Sequence, residues 1–301
     1  MKNFITTPKA DPNKVLLIDW SNLAMRNLLV MPYDPTDQVK FVSWKNMMLR
    51  SLKKIFKEHE ASKVIICLEG RHGNWRKQYY PEYKANRVGA REASKIDFDA
   101  FFKAQDEFVG NLAALLSNVQ FLRVPHAEAD DLIGVITKKY PNWKITLISS
   151  DRDFYQLYKY SNYRQYDAIK GKYIEVLDPI NYLLEKIILG DAGDNVPKLK
   201  VGVGPKTAEK IINSEEGLEE WLKLENLEAE FERNTTLISF DFIPEEVQND
   251  ITKAVDAWKG TKFKPSEMMN FLVKNSCGGM MSEIGVLVNL FKRFDQSVAD
   301  K

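Results

Sequence analysis

Apolar residues recur along this chain in two rhythms. Short continuous runs such as Val15-Leu16-Leu17-Ile18 and Ile145-Thr146-Leu147-Ile148 have the length of strands buried on both faces. Longer segments place apolar residues three or four apart, as at Phe41, Trp44, Met48, Leu52 and Phe56, which puts one apolar stripe on a helix. The rhythms predict strands over 14–20, 64–68, 120–124 and 144–149. They predict helices over 21–30, 41–60, 97–116 and 127–139. Strands alternating with helices imply an α/β fold with a mostly parallel central sheet flanked by helices. After about residue 178 the chain reads as helical, with a Gly-rich turn at 201–204 and a loop at 261–266. Three parts follow: a polar, flexible N-terminal arm (1–13), an α/β domain (14–177) and a helical region (178–301).

Composition narrows the class. The 301 residues are 44% hydrophobic and 28% charged, enough for a sizeable core under a polar surface. No stretch is long and apolar enough to span a bilayer, and the first residues lack the apolar core of a signal segment. Two cysteines, Cys67 and Cys277, are too few for a disulfide framework, so a reducing cytoplasm is expected. The net charge of +1 hides an uneven distribution.

Acidic residues gather where the predicted strands end: Asp19, Glu69, Glu128, Asp130, Asp131, Asp151, Asp153, and then Asp191 and Asp194 in a turn. Each has a plain structural explanation by itself. Asp19 suits a helix N-cap, acids in a first turn complement the helix dipole, and Asp and Gly favour turns. Together they need another reason. The carboxyl ends of parallel strands open on one edge, where ligands bind. Carboxylates crowded there repel one another unless cations intervene. Ligation by oxygen alone points to Mg²⁺, with Mn²⁺ as a substitute.

Two further segments suit a polyanion. Residues 70–95 are long for a connection in a compact α/β domain. They interleave Arg71, Arg76, Lys77, Lys84, Arg87 and Arg91 with Trp75, Tyr79, Tyr80 and Tyr83. Cations reach phosphates, and aromatic rings stack on unpaired bases. The second segment is Val201-Gly202-Val203-Gly204-Pro205-Lys206-Thr207-Ala208. Gly202 and Gly204 permit a tight turn, and Pro205 suits the first position of a helix whose positive end would face a phosphate. This is a helix-hairpin-helix pattern.

The order Asp19, Glu69, Tyr83-Lys84-x-x-Arg87, Glu128-Ala-Asp-Asp131, Ser150-Asp-x-Asp153, Gly190-Asp-x-x-Asp-Asn195, Gly202-x-Gly-Pro-Lys-Thr-Ala208 resembles the flap endonuclease and 5′-3′ exonuclease family. In layout it is similar to the ribonuclease H branch of T-even phages. The resemblance is strong over about 14–212 and weak beyond. It implies a structure-specific 5′ nuclease that removes RNA primers or flaps during DNA replication. By resemblance, Asp19, Glu69, Glu128, Asp130 and Asp151 surround one Mg²⁺, and Asp153, Asp191 and Asp194 a second. Asp131 is the acid least expected to touch metal. Residues 70–95 become a basic arch over an α/β nuclease domain. Lys84 and Arg87 face the scissile phosphate there, Tyr83 stacks on a terminal base, and Arg76 and Lys77 contact substrate. Gly202, Gly204, Lys206 and Thr207 hold duplex, with K⁺ as a further ion at the hairpin. The resemblance also implies branched or nicked duplex DNA and RNA–DNA hybrid as partners of a monomer, and no membrane. A single-strand DNA-binding protein and a sliding clamp are further partners it suggests. The setting would be the host cytoplasm if the chain is phage-encoded. The family usually has Asp where Glu69 stands, and Glu reaches one methylene further. The alternative is a catalytically weak or inactive structure-specific DNA-binding protein. The segment at 288–294 reads first as a final packed helix, and second as a docking segment.

Overall fold

The computed structural model describes residues 11–214, 217–295 and 298, so the expected arm at 1–13 falls mostly outside the described residues. Six strands form one sheet: β1 (Lys14–Asp19), β2 (Lys63–Cys67), β3 (Gln120–Leu122), β4 (Lys144–Ile148), β5 (Tyr163–Asp167) and β6 (Lys172–Tyr173). Their order is β3-β2-β1-β4-β5-β6. The pairings are parallel except for β6, which runs antiparallel to β5. The chain steps outward from β1 to β3 on one side, then returns to β4 on the other. The order therefore reverses between β1 and β4, where an α/β sheet opens a crevice at its carboxyl edge.

β1 is buried on both faces because its side chains alternate between two cores. Leu16 and Ile18 enter one with Trp44, Met48, Phe56 and Phe108; Val15 and Leu17 enter the other with Leu132, Ile136 and Phe154. The first core lies under the helices Val42–Glu58 and Phe98–Leu115, and the second under Ala129–Lys139 and Glu245–Ala257. The last helices, Glu267–Lys274 and Ile284–Lys292, close the first core. Phe56 meets Phe291 and Phe294 edge to face at 5.9 and 4.9 Å. Both C-terminal phenylalanines are fully buried. The segment around 288–294 is therefore a packed helix, and its aromatic face is spent on the core.

β5 was not anticipated. Its sequence, Tyr-Arg-Gln-Tyr-Asp, has too few apolar residues to read as a strand. It is held instead by polar satisfaction: the buried Gln165 donates to the carbonyls of Ser149 (3.1 Å) and Asp151 (2.7 Å). A third, smaller core joins the helices Pro179–Leu189 and Pro205–Ile212 through Ile188, Leu199, Val203, Ala208 and Ile211. Asp178 caps the first of these by accepting from the Asn181 N–H at 2.9 Å. Among the described residues no helix is long and apolar enough to cross a membrane.

Candidate active site

Asp19 ends β1 and is only 2% exposed. One oxygen caps the next helix, accepting from the Asn22 N–H at 3.0 Å, and the other accepts from the Ser149 hydroxyl at 2.8 Å. Burial, with the charges of Asp151 and Glu69 added, pushes its pKa up to about 7. Glu69 lies two residues beyond β2. The residue as a whole is exposed, yet its carboxyl turns inward and accepts from the Ala129 N–H at 3.3 Å. Desolvation of that carboxyl and the charge of Glu128 raise its pKa. Asp130 is raised well above the usual carboxylate range, by burial first and then by Asp19, Asp151 and Glu69. Hydrogen bonds draw the acids at the ends of β1, β2 and β4 and at the head of the helix Ala129–Lys139 around one basin: Ser149 Oγ links Asp19 to the Asp151 N–H (3.1 Å), and Glu69 meets the Ala129 N–H.

A second group adjoins it. Asp153, Asp191 and Asp194 each offer a carboxylate oxygen within 4.8 Å of the others. Burial, opposed by Lys186 and reinforced by Asp151, raises Asp153 to about 6. One small recess is lined by Glu128, Asp130, Asp153, Lys186, Asp191 and Asp194 together.

The turn that carries Asp191 and Asp194 depends on a glycine. Gly190 has φ +67°, and a Cβ there would lie 2.4 Å from the Val196 carbonyl oxygen. That close approach lets Asp191 and Val196 exchange backbone hydrogen bonds of 2.9 and 2.8 Å.

Two ammonium groups stand among the acids. Lys84 pairs with Glu128 and lies 3.6 Å from Asp194. Lys186 pairs with Asp153 and, at 2.9 Å, with Asp191. Burial would lower the pKa of both lysines, but the facing carboxylates outweigh it and keep them charged. Burial would likewise raise Glu128, but Lys84 and Arg76 outweigh it and hold Glu128 ionised. The basin thus demands positive charge and offers oxygen donors alone. That donor set fits hard divalent cations.

The basic segment contains two short helices, Arg76–Tyr79 and Asn86–Glu92. It is tied to the acidic turn by backbone and amide contacts. The Lys84 N–H donates to the Asp194 carbonyl (2.8 Å), Asn86 to that of Ala192 (2.7 Å), and Asn195 to that of Glu82 (2.8 Å). Arg87 reaches Asp194 at 2.5 Å, and Lys77 is exposed. Arg76 and Tyr83 depart from their expected roles as substrate contacts. Arg76 is 2% exposed and paired with Asp131 at 2.8 Å and Glu128 at 3.3 Å. Tyr83 is 3% exposed, with its hydroxyl 2.9 Å from both Glu128 and Asp194. Neither presents a face to substrate, because each is used to satisfy buried carboxylates.

At the hairpin, Gly202 adopts φ +88°, and Lys206 and Thr207 are exposed. The helix Pro205–Ile212 has no side-chain cap; Pro205 brings no N–H, and the Thr207 and Ala208 N–H groups donate to the Gly204 carbonyl at 3.0 and 2.9 Å. Two residues near the acids were missed from sequence: Lys186 and Gln165. Lys186 had a signal, since it and Glu185 are charges inside the otherwise apolar run Tyr182-Leu183-Leu184-Glu185-Lys186-Ile187-Ile188.

The sheet order, the carboxylate basin and the basic cover define a nuclease of the 5′-3′ exonuclease family, and this chain belongs to that family. Residues 14–185 match the model of the 5′-3′ exonuclease N-terminal resolvase-like domain. The ribonuclease H of Enterobacteria phage T4 is 30% identical over 217 residues, covering 66% of this chain and 71% of that protein. The flap endonuclease Xni of Shewanella woodyi is 28% identical over 174 residues, covering 53% of this chain and 63% of that protein. The thermostable DNA polymerase I of Thermus thermophilus aligns with 91% of this chain at 26% identity, but over only 33% of its own length. Among solved structures, the bacteriophage T5 D15 flap endonuclease in a pseudo-enzyme–product complex with DNA and metal ions shares the fold. Its TM-score is 0.61 at 18% identity, covering 92% of this chain and 99% of that one. The Rad2 catalytic core in complex with DNA substrate gives 0.54 at 13% identity, covering 92% of each chain.

Proposed function

We propose that this chain is a Mg²⁺-dependent, structure-specific 5′ nuclease. It hydrolyses phosphodiester bonds at flaps and nicks of duplex DNA and in RNA–DNA hybrids, and it removes primers during replication. One observation carries the reading. Acids from β1, β2, the helix Ala129–Lys139, the loop after β4 and the 190–195 turn converge beneath Lys84 and Arg87.

Asp19, Glu69, Glu128, Asp130 and Asp151 would hold one divalent ion, and Asp153, Asp191 and Asp194 a second. Ions held there supply the acidity that makes water a nucleophile at neutral pH and offset charge on the leaving 3′ oxygen. The chain's own groups do the rest. Ser149 donates to Asp19 and orients a carboxylate rather than attacking. Lys84 and Arg87 bring fixed positive charge to the rim, where it favours the charge that builds on phosphate oxygens. Asp131 takes no part as a ligand, because it is fully buried and four N–H donors, two of them from Arg76, already occupy its oxygens. The exposed Lys206 and Thr207 side chains, at the positive end of the Pro205–Ile212 helix, anchor a backbone phosphate away from the cut.

The test compares 5′-labelled flap, nicked and RNA–DNA hybrid substrates, each with Mg²⁺ and with chelator. The reading expects Mg²⁺-dependent release of short 5′ products. Binding to branched DNA with no cleavage in Mg²⁺ or Mn²⁺ would establish the inactive binding protein instead.

A further inference from the structure

Arg76, Trp75 and Asp131 form a buried group that touches the acidic basin from behind. Asp131 is fully buried, and it accepts from four donors. Trp75 Nε1 (3.0 Å), Arg76 (3.1 Å) and the Glu128 backbone N–H (2.9 Å) converge on one oxygen, and Arg76 (2.8 Å) reaches the other. The Arg76 guanidinium lies 4.4 Å from the Trp75 ring centre, and its Nε donates to the Leu237 carbonyl at 2.8 Å. Its remaining reach is to Glu128, at 3.3 Å. The group therefore joins the foot of the basic segment, the head of the helix Ala129–Lys139 and the end of the helix Glu228–Ile238.

We infer that Arg76 is a positioning residue, which acts on the reaction through Glu128 and never touches nucleic acid. An isolated buried ion pair is a poor way to gain stability, since desolvation offsets most of its attraction. This pair has a geometric product instead. Asp131 fixes the backbone of Glu128 through the capping box, and Arg76, together with the Tyr83 hydroxyl at 2.9 Å, holds one side-chain oxygen of the same residue. The other oxygen is left to face Lys84 and the basin. Arginine suits the task because its planar fork meets Asp131 and Glu128 at once while its face lies on Trp75. Groups that orient metal ligands in this way typically change affinity or rate by about 10–100-fold when altered. The inference rests on the nuclease reading of the basin.

The test uses the full chain in wild-type form and three variants, the third being Arg76→Lys. Arg76→Gln/Asp131→Asn exchanges the ionic pair for a neutral hydrogen-bonded pair, and Trp75→Phe removes the indole bond to Asp131 while keeping an aromatic ring beside Arg76. Three readouts are taken: Mg²⁺ affinity by calorimetry without DNA, flap affinity in chelator, and single-turnover cleavage. We expect flap affinity within about twofold of wild type. Mg²⁺ affinity and cleavage rate should fall about 10–100-fold in the double variant, and less in Trp75→Phe. Arg76→Lys should recover only part of the loss, since it lacks the fork. Reduced flap affinity with Mg²⁺ affinity and single-turnover rate unchanged would overturn the inference and make Arg76 a substrate contact. Unchanged values in both Arg76→Gln/Asp131→Asn and Trp75→Phe would overturn it as well. If Arg76→Gln/Asp131→Asn fails to fold by circular dichroism, Trp75→Phe decides alone. A wild-type chain that neither binds Mg²⁺ nor cleaves would instead overturn the nuclease reading, and this inference with it.

Discussion

Asp19 shows how one residue serves fold and site together. One oxygen caps a helix and the other faces Ser149 and the basin. That capping and basin roles can coexist on one side chain could not be seen in the sequence, where they compete as explanations. Its folded pKa of about 7 lies above the ordinary 3.8. Between those values the folded chain keeps a proton that the unfolded chain has lost. The stability of the metal-free protein therefore falls as pH rises through that window, and levels off above it. Thermal melts in chelator should shift downward between about pH 4 and pH 7, and Mg²⁺ should flatten the trend by favouring the ionised acids. A melting temperature that rises over that range in chelator would contradict the account. Gly190 is a second decisive residue, for steric reasons. Gly190→Ala meets the Val196 carbonyl and a backbone at φ +67°, ψ −170° that only glycine readily adopts, which alone costs about 1–3 kcal/mol. Denaturant unfolding should show at least that loss, and Mg²⁺ affinity should fall because Asp191 and Asp194 move. Arg76 and Tyr83 mark the limit of residue-level reading. Composition counts them among a basic and aromatic segment, but only the fold shows that they point inward.

At the scale of elements, the strands β1, β2 and β4 were legible because they are continuous apolar runs. β5 was not, because hydrogen bonds from Gln165 stand in for apolar content. The acids at strand ends were legible for a related reason: charge placed next to a buried strand is unusual enough to stand out. The helix Pro179–Leu189 brings Lys186 between Asp153 and Asp191, a meeting across 33 positions of chain that no local pattern announces. Lys186→Met removes the counter-charge and leaves two facing carboxylates. Melts in chelator should show a clear loss of stability, and saturating Mg²⁺ should restore most of it, because cation binding then supplies the missing charge. Equal losses with and without Mg²⁺ would mean that Lys186 supports packing alone.

For the molecule as a whole, the C-terminal helices are part of the architecture that holds the basin. Phe263, Phe271, Phe291 and Phe294 close the core beneath the helix Val42–Glu58. Phe291→Ala should cost about 3–5 kcal/mol in denaturant unfolding. It should do so in one transition monitored at both the C-terminal and the sheet aromatics. Two separable transitions would show that the C-terminal helices fold independently. The fold places carboxylates from distant parts of the chain in one basin, with the basic segment bound across it. The central claim is that this basin cleaves and does not merely bind. The most direct measurement is Mg²⁺-dependent cleavage of a 5′-labelled flap by Asp130→Asn and Asp151→Asn, beside their affinity for the same flap. The account predicts that cleavage is abolished, because the ions lose a ligand, while binding stays measurable. Wild-type cleavage rates in either variant would contradict it.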